Sequence, residues 1–320
     1  MFSAILTHMS EVSSVPGVRI QRASRARQTQ VLWLLFRDDA ADLRLARVHE
    51  TMTLAGCDDS ACQHLLAACR GGELVGAAWA QVMPGRAATV WPPRLVDAES
   101  ELTRHRLVDE LDCRLRDHGV HLAYALLPSS TAPDSKLLAS HRFRHVADLL
   151  YLASSSEQFP LSRPKGPLEF VPYADCDRGR LARLIEETYR DTLDIPALNG
   201  LRHTGDVLDG YRQTGVFDPH RWLFITHQGQ KVGCLLLTDH PEQGQWELMY
   251  MGLVTRARGN GFGFQITRHA QWLTRLAGRG TLMLAVDSQN GPAVATYAKA
   301  GFVECDRRSV FLKPYVSSRS

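Results

Sequence analysis

A serine- and proline-rich segment near the middle of the chain limits most strongly how it can fold. It runs from Ser154 to Pro167, holds three prolines in fourteen residues, and divides the 320 residues into halves of similar length. Proline fixes φ and removes a backbone donor, so the segment is not expected to continue a helix or a central strand. Each half has about the size of an ordinary domain, and the sequence therefore predicts two domains.

The two halves carry similar patterns at similar spacing. A turn leading into an apolar strand occurs at Gly72–Trp79 and again, 157 positions later, at Gly229–Leu236. The stretches Leu122–Phe143 and Leu282–Phe302 both have the pattern of a strand, a proline-containing loop, a helix and a phenylalanine. Chance similarity is the alternative to an internal repeat. The predicted organisation is a first domain over 18–155, a linker over 156–167 and a second domain over 168–316.

Hydrophobic spacing in the second half predicts a definite order of elements. Phe262, Ile266 and Ala270 are four residues apart, which is typical of one face of a helix. No regular pattern is evident from 191 to 220. The predicted elements are a helix over 181–188, a hairpin of 222–226 and 231–238, a strand over 246–254, a helix over 262–276, a strand over 282–286, a helix over 293–300 and a strand over 309–312. This order predicts an α/β (α+β) fold built on a mixed sheet.

A glycine-rich junction follows the strand that ends at Val254. Its sequence, Arg258-Gly259-Asn260-Gly261-Phe262-Gly263, leads directly into the predicted helix. Glycines allow a tight turn, and the helix N-terminus adds unpaired N–H groups and the positive end of its dipole, so the junction can hold a diphosphate. A plain tight turn and a dinucleotide-binding loop are alternatives, but the latter would follow the first strand of a parallel βαβ unit.

Composition excludes several other classes of function. The net charge of +3 is too small to indicate a nucleic-acid surface, and no apolar run approaches the roughly 20 residues of a membrane-spanning helix. Seven cysteines and thirteen histidines show no spacing that is typical of a metal site. These observations predict no nucleic-acid partner, no membrane span and no metal, and they favour a cytoplasmic protein with reduced thiols.

The junction resembles the R/Q-x-x-G-x-G/A signature of the GNAT (Gcn5-related) N-acetyltransferases. The strand Trp246–Val254 before it, and Asn290, Tyr297 and Gly301-Phe302 after it, stand where similar residues stand in that family. The layout looks like the tandem-GNAT proteins, of which mycothiol synthase is one kind. The resemblance implies two GNAT-like domains, each with a mixed, mostly antiparallel twisted sheet flanked by helices, and acetyl-CoA as co-substrate. The implied cofactor-binding residues are Met251, Leu253, Val254, Arg258, Gly259, Asn260, Gly261, Phe262, Gly263 and Asn290.

The resemblance also implies two catalytic residues. Glu247 is the candidate base, on a face that strand alternation would share with Met249, Met251 and Leu253. Tyr297 is the candidate acid that protonates the departing thiolate. An exposed glutamate without a role and a core tyrosine are the alternatives. Asn290 is expected either to contact the pantetheine arm or to cap a helix.

The first half resembles a degenerate copy, because Leu102, Arg104 and Leu138 stand where Gly261, Gly263 and Tyr297 stand in the second. We therefore expect the second half to catalyse acetyl transfer to a small-molecule or peptide amine. The acceptor and the oligomeric state stay open at this stage. A non-catalytic acyl-CoA sensor and a tRNA-dependent aminoacyl-transferase are the alternatives.

Overall fold

A computed structural model describes residues 17–57, 60–174 and 177–315. The predicted end of the second domain, residue 316, lies outside this range. The described chain forms two compact units. The first contains the residues up to Gln81 together with Trp91–Asp117, and the second contains Val82–Val90 and the residues from His118 onward.

The first unit joins a small antiparallel sheet to helices. Strand β1 pairs with β2, and β2 pairs with β3. The elements are β1 (Val18–Arg22), α1 (Gln28–Leu35), α2 (Ala41–Cys57), β2 (His64–Arg70), β3 (Glu73–Met83), β4 (Ala87–Leu95) and α3 (Glu101–Asp117). Val31 and Leu32 of α1, Leu65 of β2 and Trp79 of β3 form its core. The end of β3 and the start of β4 belong to the second unit.

The second unit holds the longer sheet. Its elements are β5 (Leu122–Leu127), α4 (Asp134–Ser140), β6 (Arg144–Ser155), β7 (Leu168–Pro172), α5 (Arg178–Tyr189), α6 (Thr204–Arg212), β8 (Trp222–His227), β9 (Gln230–His240), β10 (Gln245–Leu253), α7 (Phe262–Leu276), β11 (Thr281–Asp287), α8 (Gly291–Lys299) and β12 (Val303–Pro314). From the start of β4, the strand order is β4-β5-β12-β6-β11-β10-β9-β8-β7. Pairing is antiparallel except for β4 with β5 and β10 with β11.

The two halves of the chain exchange strands within this sheet. Strand β12, from the end of the chain, pairs with β5 on one side and β6 on the other. Strand β6, from the first half, pairs in turn with β11. The sheet therefore alternates first-half and second-half strands in the order β5-β12-β6-β11, so the compact units do not coincide with the halves of the sequence.

The structure repeats its elements at the predicted spacing. Strands β3 and β9 begin 157 positions apart, and β6 and β12 begin 159 apart. The predicted helices and strands of the second half are present. The stretch 191–220 is not wholly irregular, because it contains α6, whose Val207 and Leu208 are buried; nine residues are too few to make this periodicity evident.

Strand β6 runs two residues into the segment Ser154–Pro167, where no strand was expected, and ends at Ser155. The strand lies in the interior of the sheet, between β11 and β12. The Ser154 side chain is buried, but its Oγ accepts a hydrogen bond of 2.8 Å from Gln271 Nε2 on α7. A satisfied hydroxyl costs little in a core, so serine is compatible with a central strand here.

The helices cover the sheet with apolar stripes. On α7, Phe262, Ile266 and Ala270 are buried, as their spacing predicts. They join a core that includes Ile225 and Leu235 of the neighbouring strands. Within the described residues, no helix is long and apolar enough to cross a membrane.

Candidate active site at the opening between β10 and β11

The parallel strands β10 and β11 pair over only part of their length. Gln245–Leu248 lies beside Thr281–Leu284, and in the described chain no pairing joins the two strands beyond that point. Strand β10 then continues beside β9 to Leu253, whereas β11 continues beside β6 to Asp287. The two strands therefore separate toward the N-terminus of α7, and the cofactor-binding residues that the resemblance implies on β10 lie along this opening.

A bulge in β10 changes which side chains share a face. Leu248 lies opposite Leu237 and Tyr250 opposite Leu236, so Met249 is an extra residue. An extra residue reverses the alternation of all side chains after it. Glu247 consequently shares its face with Tyr250. The expectation that Met251 and Leu253 lie on this face is wrong, because simple alternation ignores the bulge.

The backbone of β10 presents hydrogen-bonding groups to the opening. Val254 donates its N–H to the Val232 carbonyl of β9 at 3.0 Å. In an antiparallel ladder, bonded and non-bonded pairs alternate, so the N–H and C=O groups of Met251 and Leu253 point away from β9. The Leu253 carbonyl already accepts Arg258 Nε at 3.1 Å. Of the three predicted strand residues, Met251 thus directs both its N–H and its C=O toward the opening. The N–H of Val254 is instead bonded to β9.

The glycine-rich junction leaves a run of backbone donors open. Gly259 and Gly261 have φ values of 79° and 74°, which favour glycine, and Gly261 immediately precedes α7. The N–H groups from Gly259 to Phe264 donate to no residue in the described part of the chain, whereas the Arg258 N–H donates to the Thr255 carbonyl at 3.2 Å. The open donors are therefore those of 259–264, shifted by one residue from the predicted 258–263.

The remaining side chains of the junction hold its shape. Asn260 Nδ2 donates to the carbonyls of Ala257 and Arg258, at 3.3 and 3.1 Å. Phe262 is buried at the start of α7, and Gly263 lies in the first turn, where an added Cβ would be 3.6 Å from Thr296 of α8. These residues position the N-terminus of α7 beside the opening.

Arg258 ties the junction to the end of α5. Besides its bond to Leu253, its guanidinium donates to the carbonyls of Thr188, Arg190 and Asp191, at 2.8, 2.9 and 2.8 Å. A cation at a helix C-terminus is favourable because it opposes the negative end of the dipole. All three guanidinium nitrogens donate hydrogen bonds to these carbonyls. The main role of Arg258 is therefore to hold the junction against the end of α5.

The candidate base, Glu247, has a polar neighbour. Its Oε2 lies 2.9 Å from Nε2 of His240, at the end of β9. The Glu247 side chain is 36% exposed. The carboxylate is therefore in contact with solvent and with an imidazole, and a proton that it accepts has a path outward. The side chains of Met251 and Leu253, which simple alternation would place beside Glu247, lie on the other face of β10.

Three tyrosines, which the sequence analysis missed, line the same face as Glu247. Tyr250 packs against Tyr189 and Tyr211, with ring centroids 5.9 and 6.2 Å apart, and its Oη lies 2.5 Å from Thr188 Oγ1. Burial raises the pKa of Tyr189 to about 12 and also raises the pKa of Tyr211 and Tyr250. They come from β10, α5 and α6, so no sequence spacing connects them.

The candidate acid, Tyr297, lies on α8 and is 5% exposed. Burial raises the pKa of its phenol, and the nearby Asp194 carboxylate raises it further. The phenol therefore stays protonated at neutral pH. Its Oη makes no hydrogen bond to any residue that the structure describes, so the proton can be donated to a ligand.

Asn290 caps α8. Its Oδ1 accepts the Ala293 N–H at 3.4 Å, and its side chain also hydrogen-bonds Asp194. Asp194 accepts the backbone N–H of Asp287 at 3.0 Å, and Asp287 accepts that of Ile195 at 3.1 Å. These contacts tie the loop after α5 to the end of β11. A contact from Asn290 to the pantetheine arm stays a prediction.

A separate pocket of about 460 Å³ lies between α5 and the start of β9. None of its lining residues belongs to the predicted catalytic or cofactor-binding set. They are Arg180, Arg183, Leu184, Glu187, Gln230, Lys231 and Arg256. We found no group of three or more potential metal-ligating side chains in the described ranges.

Known proteins are similar to this chain in sequence and in fold. The family model described as the acetyltransferase (GNAT) family matches residues 185–302, which include β10, the junction and α8. A mycothiol acetyltransferase from Streptomyces coelicolor is 30% identical over 253 residues, covering 75% of this chain and 76% of that protein. The chain belongs to the GNAT acetyltransferase family. The prediction from the junction is confirmed, and this GNAT protein is an N-acetyltransferase by family.

Two solved structures agree with the fold of this GNAT protein. A GCN5-related N-acetyltransferase from Sphaerobacter thermophilus has a TM-score of 0.62 at 17% identity, over 93% of this chain and 95% of that one. A tandem GNAT protein from the clavulanic acid biosynthesis pathway has a TM-score of 0.51 at 13% identity, over 94% and 100%. They confirm the predicted α/β class and tandem architecture.

Proposed function

We propose that this GNAT protein transfers an acetyl group from acetyl-CoA to an amine, and that the opening between β10 and β11 is the catalytic site. The observation that carries the proposal is the run of open N–H groups from Gly259 to Phe264, at the N-terminus of a fifteen-residue helix. Such a group of donors binds a diphosphate through hydrogen bonds and the helix dipole.

The residues around the opening fit the rest of the cofactor. The backbone of Met251 and the N–H of Leu253 suit the amides of a pantetheine arm, which would occupy the edge that β11 leaves unpaired. The diphosphate would lie on the N–H groups of 259–264. When bound, acetyl-CoA supplies an activated thioester and a thiol leaving group. Gly259 and Gly261 keep the space above the loop clear, since nothing lies within 4 Å of a Cβ at either position.

Glu247 and Tyr297 would manage the protons of the reaction. Glu247 takes a proton from the attacking amine, directly or through water, because its carboxylate is open to solvent. Tyr297 gives a proton to the departing sulfur, because burial keeps its phenol protonated and the hydroxyl has no competing partner among the described residues. One proton is removed and one is returned, so the enzyme needs no metal or redox partner for this step.

The acceptor would be a small molecule that carries a primary amine. The similarity to a mycothiol acetyltransferase supports a small-molecule acceptor over a peptide. The loop after α5, which Asp194 and Asp287 fasten to β11, would form one wall of the acceptor site. The first half would not bind acetyl-CoA, since its corresponding junction lacks the glycines.

The test is release of thiol from acetyl-CoA by the full chain, against a panel of small primary amines and short peptides. We expect turnover with at least one small amine and none without an acceptor. Tight binding of acetyl-CoA without turnover of any amine would favour the sensor function. Absence of both binding and turnover would contradict the proposal.

A further inference from the structure

Beside the opening, the sheet presents a face shared by three strands of the second unit. Ala285 is the first residue of β11 beyond its pairing with β10, and it lies opposite Tyr151 of β6. Tyr151 lies in turn opposite Asp306 of β12. Directly paired residues project to the same side of a sheet, so the three side chains share a face. Glu247 lies beside Met283 and projects to that side as well.

Tyr151 is half-buried, and its phenol has no hydrogen-bond partner in the described ranges. Burial raises its pKa, while the charges of Arg308, Asp306 and Glu247 all reach it. The ring therefore lies among these three charged groups with its hydroxyl available. Ala285 is exposed and short, which leaves open space between Tyr151 and the catalytic opening.

Arg308 and Asp306 neutralise each other beside this ring. Arg308 Nε and Nη2 both lie 2.8 Å from Asp306 Oδ2. A bound ion pair offers both donors and acceptors without a net charge, so it favours a neutral polar group over an isolated ion. An aromatic ring next to it adds an apolar contact surface.

We propose that Tyr151, with the Arg308–Asp306 pair, binds a neutral hydroxyl or amide group of the acceptor and so determines which amines are acetylated. The inference rests on the proposed function. It assigns a binding site to the part of the acceptor that lies away from its amine. Tyr151 is two strands from Glu247 and two residues further along, a distance of about 12 Å between Cα atoms at ordinary sheet spacing. An acceptor with its amine near Glu247 and a hydroxyl several atoms away would reach the phenol.

The strand exchange explains how a first-half residue reaches this place. Tyr151 belongs to β6, which lies between the second-half strands β11 and β12. The first half of the chain therefore contributes to acceptor choice through one strand, although it lacks its own cofactor loop.

The test compares two amines that differ by one hydroxyl, trans-4-aminocyclohexanol and cyclohexylamine, with the full chain and acetyl-CoA. We expect the wild type to prefer the hydroxylated amine in kcat/KM. Tyr151→Phe should lower kcat/KM for that amine about 10-fold, the loss of one hydrogen bond, and change cyclohexylamine less than twofold. The KM for acetyl-CoA should not change.

Tyr124→Phe is the matched control, because Tyr124 is near enough to interact electrostatically with Tyr151 but lies on β5, two strands further from the opening. It should leave the ratio of the two amines unchanged. An equal loss for both amines in Tyr151→Phe, or no preference in the wild type, would overturn the inference while leaving acetyl transfer intact. Failure to acetylate any amine would instead contradict the proposed function on which the inference rests.

Discussion

The N-termini of α3 and α7, the equivalent helices of the two halves, differ in how their surroundings satisfy a preference for negative charge. Before α7, the backbone N–H groups from Gly259 to Phe264 are open. Before α3, Glu99 stands 159 positions ahead of Arg258 and accepts hydrogen bonds from the Ser100 N–H at 3.0 Å and the Thr103 hydroxyl at 2.8 Å. Arg70 holds the same carboxylate at 2.9 Å.

The difference shows how one fold can either bind an anion or exclude it. A helix N-terminus favours negative charge, and in the first half the protein supplies that charge itself. The hydrogen bond from Arg70 is the largest cause that lowers the pKa of Glu99, to about 2, so the carboxylate is ionised at neutral pH. In the second half the same position holds Arg258, which is turned back onto carbonyls, and the anion would come from the ligand.

The largest expected effect comes from giving the second junction its own carboxylate. Gly261→Glu should abolish measurable acetyl-CoA binding, because the side chain would enter the space above the open N–H groups and repel a diphosphate. No atom lies within 4 Å of a Cβ there, so the fold should survive with a cost of about 1 kcal/mol for the left-handed φ. Isothermal titration and a melting curve measure the two effects.

Leu102→Glu is the matched control in the first half. Leu102 is exposed near the start of α3, so an added carboxylate there should change neither acetyl-CoA affinity nor melting appreciably. Equal loss of binding in both variants would mean that the two junctions do not differ in the proposed way. Normal affinity in Gly261→Glu would refute the cofactor assignment.

The next largest effect concerns α8 and its first-half equivalent, α4. Tyr297→Phe on α8 should lower the single-turnover rate about 10²-fold, a typical contribution for one general acid. Acetyl-CoA affinity should stay within a few fold, because the ring still packs against Phe302, whose centroid is 5.6 Å away.

Leu138 of α4 is the equivalent position in the first half. It is fully buried, so a larger Phe would strain the core, and Leu138→Met is the better control because it conserves volume. This variant should leave the rate unchanged. A wild-type rate in Tyr297→Phe would remove the phenol from the mechanism.

A smaller effect on the single-turnover rate is expected at β10 and none at its first-half equivalent, β4. Glu247→Gln keeps the shape of the side chain but cannot accept a proton, so the single-turnover rate should fall about 10-fold or more. Strands β4 and β10 begin 158 positions apart, which places Thr89 at the equivalent position. Thr89→Val should be silent. If both variants were silent, solvent rather than Glu247 would accept the proton.

The sequence predicted the helices and strands because their apolar spacing is regular. The helix Phe262–Leu276 and the glycines at 259 and 261 follow from local rules, since each is a property of a few consecutive residues. The family resemblance followed from the same segment.

The parts that escaped prediction depend on residues far apart in the chain. The bulge at Met249 reverses the faces of β10, and it is visible only in the pairing with β9. The burial of Ser154 depends on Gln271, and the clamp made by Arg258 depends on carbonyls at 188–191. The strand exchange that brings Tyr151 beside Ala285 has no local signal, because strand order is set by packing of the whole sheet.

The smallest expected effect tests the first-half junction by its stability alone. Glu99→Gln should lower the free energy of unfolding by about 1 kcal/mol at pH 7, since charge-assisted bonds to the carboxylate are lost while solvent screens the 41% exposed Arg70 side chain. The folded-state pKa of Glu99, about 2, lies below its usual value of 4.5, so its stabilising contribution is complete above pH 4.5 and disappears as the pH falls toward 2. The difference between wild type and variant, measured by urea unfolding from pH 7 to pH 3, should therefore shrink below about pH 4.5.

Glu101→Gln, at an exposed carboxylate in the first turn of the same helix, is the control and should cost less than about 0.5 kcal/mol at every pH. Acetyl-CoA affinity should be unchanged in both, because the first junction holds its own anion. A difference that did not depend on pH would show that Glu99 acts by packing rather than by charge, and the contrast between the two junctions would then not be electrostatic.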